Sequence, residues 1–323
     1  MAERSLMEKL DLAVSAMLER RNSFPVSPDA EIAALLGLAA SLRDLPRPDF
    51  KARLRADLEK EIPMSTAAAV KPVREGFHTV TLYLAVRQAE ELLAFVKQAF
   101  GAEQTLRSSA PEGMHAEVRI GDSMLMIGGG PKMRHESMPA GIWLFVPDAD
   151  ETYRKALAAG ATSTHEPVDQ PYGTREACVR DVAGNDWYIS TDKTGMVAQS
   201  GLQTITPYFH VKGAAGMIDF LKRAFNAEQT ARHDSPTGTV EHAQVKIGDS
   251  VIALGDANRF PARPYMLMMY VADCDALYQQ ALAAGATSIT PVAETPYGAR
   301  VGAVLDAFGN MWYIATQVKE IPA

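Results

Sequence analysis

The sequence predicts an α+β protein built from two tandem copies of one module, preceded by a small helical segment. Residues 76–192 and 201–317 repeat the same segments in the same order; for example, Ile-Gly-Asp-Ser occurs at 120–123 and again at 247–250. Two copies, each much longer than a solenoid repeat, indicate a duplicated module rather than an array. Within each copy, strands with period-two alternation are interspersed with amphipathic helices, which is typical of a sheet that carries helices on one face.

Composition and charge argue against several classes of protein. The chain has 323 residues and a net charge of -7, whereas a nucleic-acid binder needs a basic face to replace phosphate counterions. Residues 1–21 are too charged for a signal peptide, and no apolar run approaches the roughly 20 residues that span a bilayer. Cys178 and Cys274 lie at non-equivalent positions of the two copies, which argues against a disulfide and favours a reducing compartment. We therefore expect a cytoplasmic protein with no nucleic-acid and no membrane partner.

The first 62 residues differ from the rest of the chain. Leucines recur at helical spacing, and Ser27-Pro28-Asp29 has the composition of a helix start. Residues 1–62 therefore predict three short amphipathic helices, followed by a linker at 63–75. Three interpretations stay open: a helical cap on the modules, a surface for a homodimer or another partner, or a regulatory element.

The first module begins with a strand and continues with a helix and a hairpin. Alternation of apolar and polar residues defines each strand. Glycine follows both predicted helices, where a left-handed residue commonly ends a helix. The predicted elements are a strand at 79–86, a helix at 90–100, a hairpin of 115–120 with 124–127, a strand at 141–146, a helix at 148–159 and a hairpin of 177–181 with 187–191.

The second module repeats this order, with one feature of its own. Its first strand, near 205–211, contains Pro207. Because proline has no N–H to donate to a ladder, we expect an edge position there.

The two faces of the predicted strands differ in polarity. One face is apolar and should pack under the helices. The other carries His, Tyr, Glu, Gln, Arg and Lys side chains. We expect these mixed faces to line the concave side of a curved sheet and to form one pocket or two.

The order of elements resembles that of the vicinal oxygen chelate superfamily, which includes glyoxalase I, bleomycin-resistance proteins and extradiol dioxygenases. The resemblance depends on the helix ending in Gly101, on His-Ala-Glu-Val-Arg-Ile-Gly-Asp-Ser at 115–123, and on Asp-Val-Ala-Gly-Asn-Asp-Trp at 181–187. It covers everything after residue 75 and is closest to the PhnB-like branch. It implies two βαβββ modules with curved mixed sheets, but it specifies function poorly because one fold hosts many chemistries.

The resemblance also indicates where a divalent metal would be bound. In metal-using members, a ligand on the first strand is usually His, and one on the last strand is usually Glu. These positions fall on Thr81 and Thr206, and on Tyr188 and Tyr313. Transition metals prefer imidazole or carboxylate ligands. We therefore expect no metal site and no other cofactor.

Polar and aromatic residues of the mixed faces are the candidate ligand-binding residues. His115 and His242 occupy the same place in both copies, and either a structural hydrogen bond or a ligand contact explains them. His210 has Ala85 as its counterpart, which fits either specialisation for one ligand or drift. The full candidate set is Thr81, Tyr83, His115, Glu117, Tyr188, Thr206, Tyr208, His210, His242 and Tyr313.

Outside this set, one residue has a structural explanation and two arginines have two possible roles. Parity places His78 on the helix side of the first strand. Arg175 and Arg300 recur after a Pro-Tyr-Gly loop that contains Tyr172 and Tyr297. Each arginine could bind an anion or fix the loop by a salt bridge.

Three functions fit these observations. The first is a small-molecule binding protein without a metal, for an aromatic or apolar ligand. The second is an enzyme: a divergent metal-dependent lyase, isomerase or dioxygenase, or a cofactor-free catalyst using His210 or His242. The third is a non-catalytic scaffold for the N-terminal helices.

Overall fold

A computed structural model describes residues 73–74, 76–133, 136–195, 201–258, 260–296 and 298–318. The predicted helices at 1–62 and most of the predicted linker at 63–75 lie outside the described residues. Both modules belong to one compact unit, Ala69–Ala323. None of the described helices has the length and apolar character needed to cross a bilayer.

The strand–helix–three-strand order occurs four times, twice in each module. The first module contains β1 (Val80–Ala85), α1 (Ala89–Phe100), β2 (Glu103–Ala110), β3 (Gly113–Ile120), β4 (Ser123–Gly129), β5 (Gly141–Phe145), α2 (Ala149–Ala158), β6 (Thr162–Asp169), β7 (Thr174–Arg180) and β8 (Asp186–Asp192). The second contains β9 (Ile205–Val211), α3 (Ala214–Phe225), β10 (Glu228–Asp234), β11 (Val240–Ile247), β12 (Ser250–Asp256), β13 (Met266–Tyr270), α4 (Cys274–Ala283), β14 (Thr287–Glu294), β15 (Ala299–Leu305) and β16 (Met311–Gln317). The predicted α+β class is confirmed, and each module holds two βαβββ units.

Four strands, β2, β6, β10 and β14, were missing from the sequence prediction. All four are edge strands of the two sheets. In β6 and β14 only one residue of eight is even partly buried. Edge strands with both faces exposed carry no hydrophobic alternation, so their sequence does not mark them as strands.

Each of the two eight-stranded sheets combines half of one module with half of the other. Sheet I has the order β14-β15-β16-β13-β1-β4-β3-β2, and sheet II has the order β10-β11-β12-β9-β5-β8-β7-β6. Antiparallel pairing of β1 with β13 joins the halves of sheet I, and pairing of β5 with β9 joins those of sheet II. Neither module completes a sheet by itself, so the duplicated sequence folds as one interleaved unit.

The helices pack on one face of each sheet and join the two sheets. Helices α1 and α4 contact sheet I, α2 and α3 contact sheet II, and α1 also contacts α2. One apolar core includes helix residues and strand residues from both sheets, with Trp187 and Trp312 fully buried in it. The opposite, helix-free face of each sheet is therefore separate from this core.

The repeated Ile-Gly-Asp-Ser turns fasten each module to the other. Asp249 Oδ1 accepts a hydrogen bond from the Thr79 N–H at 2.7 Å, and Asp122 Oδ1 accepts one from the Thr204 N–H at 2.9 Å. Gly121 has a φ of 59°, and a Cβ there would lie 2.4 Å from the Thr204 hydroxyl. The turn therefore requires glycine for its left-handed conformation and for its close approach. We call these reciprocal contacts the clasp.

His78 belongs to the clasp. Its Nδ1 lies 3.1 Å from Asp249 Oδ2, and its Nε2 lies 3.0 Å from the Asp122 carbonyl oxygen. Its counterpart Gln203 donates to the Asp249 carbonyl oxygen at 3.2 Å. The structural interpretation of His78 therefore rests on contacts between the modules.

A second repeated motif anchors the hairpin that ends each module. Asp181 Oδ2 accepts hydrogen bonds from Trp187 Nε1 and Asn185 Nδ2, both at 2.8 Å. Asp306 makes the same bonds to Trp312 and Asn310, at 2.9 and 2.8 Å. Burial raises the pKa of Asp181, and these donors oppose the rise.

The edge position expected for Pro207 was wrong. Strand β9 lies in the middle of sheet II, between β12 and β5, with Pro207 opposite Ile142. The Tyr265 hydroxyl lies beside this pair: it donates to the Tyr208 carbonyl oxygen and accepts from the Gly141 N–H at 3.2 Å. The Tyr265 hydroxyl thus bridges the Gly141 N–H and the Tyr208 carbonyl oxygen next to this pair, which the strand pattern alone does not reveal.

Candidate functional site

The ten candidate residues divide equally between the two helix-free faces. Five lie on sheet I: Thr81, Tyr83, His115, Glu117 and Tyr313. The other five lie on sheet II: Tyr188, Thr206, Tyr208, His210 and His242. Because each sheet draws on both modules, each face combines residues that are far apart in sequence.

On sheet II, the candidate residues form part of a connected cluster of aromatic rings. The Tyr208 and His210 rings stack with their centroids 4.9 Å apart, and Tyr188 meets Tyr208 edge-on at 5.6 Å. His242 lies 5.7 Å from Tyr208. We call this side of sheet II the aromatic face; its rings are Trp143, Phe145, Tyr188, Tyr208, His210, His242 and Phe260.

The polar atoms of the aromatic face are paired with one another. Tyr188 Oη lies 2.8 Å from His210 Nε2, and Tyr208 Oη lies 3.0 Å from His242 Nδ1. Trp143 Nε1 donates to Ser190 Oγ at 2.7 Å. These bonds hold the ring orientations in place before any ligand arrives.

Burial keeps the imidazole and phenol groups of the aromatic face uncharged. Burial, with the positive charge of Arg263 as a second cause, lowers the pKa of His210 to about 4. Burial also lowers the pKa of His242 and raises the pKa of Tyr208 to about 12. At neutral pH these imidazoles and phenols are therefore uncharged.

One buried carboxylate with two arginine partners lies at the end of this face. Asp186, which is 1% exposed, accepts from Arg263 Nη2 at 2.7 Å and from Arg180 Nε at 2.8 Å. One carboxylate thus faces two guanidinium groups, of which Arg180 is 45% exposed and Arg263 is 13% exposed. Arg263 also donates to the Gly184 carbonyl oxygen at 3.2 Å.

Sheet I presents a face of different chemistry. Two apolar clusters, separate from the main core, contain Phe77, Tyr83, Tyr270 and Tyr313 together with methionines. We call this side the methionine face; its methionines are Met124, Met126, Met138, Met266, Met268 and Met311.

A buried polar chain crosses the methionine face. Tyr83 Oη lies 3.1 Å from His115 Nδ1, and His115 Nε2 lies 3.4 Å from Glu117 Oε1. Arg74 Nη1 donates to the same carboxylate oxygen. Three candidates predicted from sequence therefore lie in one hydrogen-bonded chain.

The two threonines contribute less to the faces. The Thr206 hydroxyl is fully buried and donates to the Gln203 carbonyl oxygen at 3.1 Å. Thr81 is 3% exposed and lies opposite Met268 in the β1–β13 pair.

The positions that the superfamily uses for metal do not form a fitting donor set. In sheet I, Thr81 neighbours Met268, which neighbours Tyr313; in sheet II, Thr206 neighbours Trp143, which neighbours Tyr188. None of these side chains is an imidazole or a carboxylate. Within the described part of the chain, no group of three or more His, Cys, Asp or Glu side chains is arranged to hold a metal ion. The expected metal-free state stays a prediction.

The arginines after the Pro-Tyr-Gly loops form salt bridges. Arg175 Nη2 donates to Asp150 at 2.7 Å, and Arg300 Nη2 donates to Asp275 at 2.8 Å. Tyr172 is 63% exposed and donates to Glu176 at 2.9 Å. Tyr297 lies outside the described residues.

Several residues of the two faces were missed from sequence. Trp143 alternates with the core residues Ile142 and Leu144 in β5, so strand parity could have identified it. Phe260 and Arg263 precede β13 in a segment without regular structure, where no periodicity marks a direction. The methionines of sheet I alternate like any apolar residues, so the strand pattern does not distinguish them.

Comparison with known proteins identifies the family. A profile of the Glyoxalase/Bleomycin resistance protein/Dioxygenase superfamily matches residues 76–189 and 208–314. The chain therefore belongs to this superfamily, as its sequence resemblance implied.

Individual relatives agree with this assignment. An uncharacterized protein of Mycobacterium bovis is 32% identical over 129 residues, covering 36% of this chain and 85% of the relative. Glyoxalase I from Zea mays has a TM-score of 0.59 at 12% identity, over 73% of this chain and 90% of that one. A putative dioxygenase from Bacillus subtilis has a TM-score of 0.52 at 13% identity, over 76% and 86%. At these identities the two structures support the fold alone.

Proposed function

We propose that this protein binds a small, flat aromatic or apolar molecule on the aromatic face of sheet II, without a metal ion. The observation that carries the proposal is the cluster of rings whose polar edges are already paired with one another. Such a surface offers π-faces to a ligand and needs little reorganisation to receive it.

Charge supports a neutral ligand. The histidines of the aromatic face are uncharged at neutral pH, and its buried carboxylate, Asp186, is already paired with Arg263 and Arg180. A cationic ligand would meet a carboxylate that two arginines already occupy, and any charged ligand would lose hydration on entering. A neutral aromatic ring loses little hydration and gains ring contacts.

The test is a calorimetric titration of the full chain with 2-naphthol, using cyclohexanol as a non-aromatic control. We expect saturable binding of 2-naphthol and at least about tenfold weaker binding of cyclohexanol, because ring contacts add about 0.5–1.5 kcal/mol per pair beyond area burial. Tyr188→Leu should weaken 2-naphthol binding by about tenfold. Its counterpart on the other face, Tyr313→Leu, is the matched control and should leave it unchanged.

The metal-free part of the proposal has its own measurement. Elemental analysis of the purified protein should find much less than one transition metal per chain, and EDTA should leave 2-naphthol binding unchanged. Binding that disappears with EDTA, or equal losses in the Tyr188 and Tyr313 variants, would contradict the proposal.

A cofactor-free enzyme is the second candidate. The 2.8 Å contact between Tyr188 Oη and His210 Nε2 places a proton donor beside a neutral acceptor within the ring cluster. Turnover of a bound aromatic compound that is lost in His210→Ala, while its binding persists, would favour this candidate over simple binding.

The remaining expectations from the sequence extend the proposal. We infer a cytoplasmic location, which fits the two buried free cysteines, Cys178 and Cys274. We also infer that the protein belongs to the PhnB-like branch. We infer further that its N-terminal helices contact a second copy of the chain or another partner. Size measurements on the full chain and on a chain lacking residues 1–62 test the contact.

A further inference from the structure

The methionine face contains a buried carboxylate with one unused oxygen. Glu117 is 3% exposed, and its Oε1 takes the hydrogen bonds from Arg74 and His115. Its Oε2 is also buried and has no hydrogen-bond partner among the described residues. Buried polar atoms are nearly always paired, so an unpaired carboxylate oxygen requires an explanation.

This carboxylate is charged at neutral pH. Burial acts to raise the pKa of Glu117, but the hydrogen bonds from His115 and Arg74 and the charge of Arg74 hold it below its ordinary value. An ionised carboxylate is acceptor-only, and each oxygen has capacity for further donors. The free oxygen can therefore be satisfied by a hydrogen-bond donor, most strongly by one that carries a positive charge.

The surroundings suit a ligand with an apolar body. Met124, Met126 and Met268 pack with Phe77 and Tyr83 beside the polar chain. Methionine is flexible and polarizable, so a wall of methionines adapts to different shapes. The two side chains that hold Glu117, Arg74 and His115, are 20% and 29% exposed, so the polar chain that ends at the carboxylate is itself partly open to solvent.

The aromatic face lacks this charge at the same position. The counterpart of Glu117 is Gln244, whose Nε2 lies 3.2 Å from His242 Nε2. The Tyr–His pair is therefore common to both faces, whereas a carboxylate beside that pair occurs on the methionine face alone among these two positions. This difference separates the ligand classes that the two faces can accept.

We propose that the methionine face is a second, independent binding site for a ligand with a protonated amine or amidine on an apolar body, whose N–H group donates to Glu117 Oε2. The contact is a charge-assisted hydrogen bond, and the methionines enclose the body of the ligand. This site differs from the aromatic face in location, charge and ligand class.

The test uses benzamidine, with neutral benzamide of the same shape as its control. Calorimetry on the full chain should show saturable binding of benzamidine and at least tenfold weaker binding of benzamide. Glu117→Gln should weaken benzamidine binding at least tenfold, and Gln244→Glu, its matched control on the other face, should not weaken it. Glu117→Gln should leave 2-naphthol binding unchanged, so failure of one proposal is distinguishable from failure of the other.

A second measurement locates the ligand in the unaltered protein. With methyl-labelled methionine, benzamidine should shift the NMR signals of Met124, Met126 and Met268, assigned by single substitutions to Leu. Equal binding of benzamide, no effect of Glu117→Gln, or shifts confined to methionines elsewhere would overturn the proposal and leave Glu117 as a carboxylate satisfied by water.

Discussion

The aromatic face and the methionine face derive from the same repeated sequence, and they differ where a ligand would touch them. Each keeps a Tyr–His pair, Tyr208 with His242 and Tyr83 with His115, at 3.0 and 3.1 Å. Trp143 of one face corresponds to Met268 of the other. Duplication has therefore preserved a polar connection in the sheet while its surroundings changed from flat rings to flexible thioethers.

The buried ion pairs of the two faces also lie at different places. The aromatic face has Arg263 with Asp186, whose counterparts on the methionine face are Met138 and Met311. The methionine face has Arg74 with Glu117, and Gln244 replaces Glu117 on the other side. Because a buried charge needs a partner, each pair had to change as a set, which makes the charge pattern a better indicator of ligand class than any one residue.

The largest loss of unfolding free energy should come from the Asp–Asn–Trp motif that both modules share. Asp181→Ala removes the acceptor for Trp187 Nε1 and Asn185 Nδ2, and Asp306→Ala does the same for Trp312 and Asn310. Stranding buried donors costs about 1–3 kcal/mol each before relaxation, so we expect each variant to lose about 3–4 kcal/mol of unfolding free energy. Urea unfolding measures it.

The losses of unfolding free energy in Asp181→Ala and Asp306→Ala should be equal. If the shared framework carries both faces alike, the two variants should agree within about 1 kcal/mol, and the exposed Asp219→Ala should change stability by no more than about 0.5 kcal/mol. A loss confined to one variant would mean that the modules differ in framework as well as in lining.

A smaller effect distinguishes the aromatic face by pH. His210 has a pKa of about 4 in the folded chain against 6.5 for the free side chain, chiefly because it is buried. As pH falls below 6.5 the unfolded chain takes up a proton that the folded chain does not, so stability decreases until the pH reaches about 4. Between pH 7 and pH 5 this amounts to about 2 kcal/mol.

The methionine face supplies the matching substitution. The counterpart of His210 is Ala85, so His210→Ala should remove about 2 kcal/mol from the pH 7-to-5 difference in unfolding free energy. The groups facing His210 are Tyr188, Tyr208, Arg263 and Asp186. An unchanged difference in His210→Ala would contradict the assignment.

The side of the strand on which many face residues lie could be predicted from sequence, whereas the composition of each face depends on how the strands pair. Alternation in β1, β3 and β9 placed Tyr83, His115 and Tyr208 on the correct side of their strands, because a half-buried strand shows its direction in its pattern. The exchange of half-modules left no trace in periodicity, so the division of ten candidate residues between two faces was not predicted. Neither were Arg74 and Phe260, which lie outside regular strands where parity has no meaning.

The smallest change in unfolding free energy should come from the clasp, where the two modules are most alike. His78→Gln installs the residue found at its counterpart, Gln203, which already donates to the Asp249 carbonyl oxygen. His78 is 27% exposed and its partner Asp249 is 55% exposed, so the contact contributes little. We expect a change of about 0.5 kcal/mol or less in unfolding free energy.

Asp249→Ala, which also removes the acceptor of the Thr79 N–H at 2.7 Å, should cost more. If His78→Gln cost as much as Asp249→Ala, the imidazole would be specifically required at this position, and the clasp would have diverged between the modules as the two faces have.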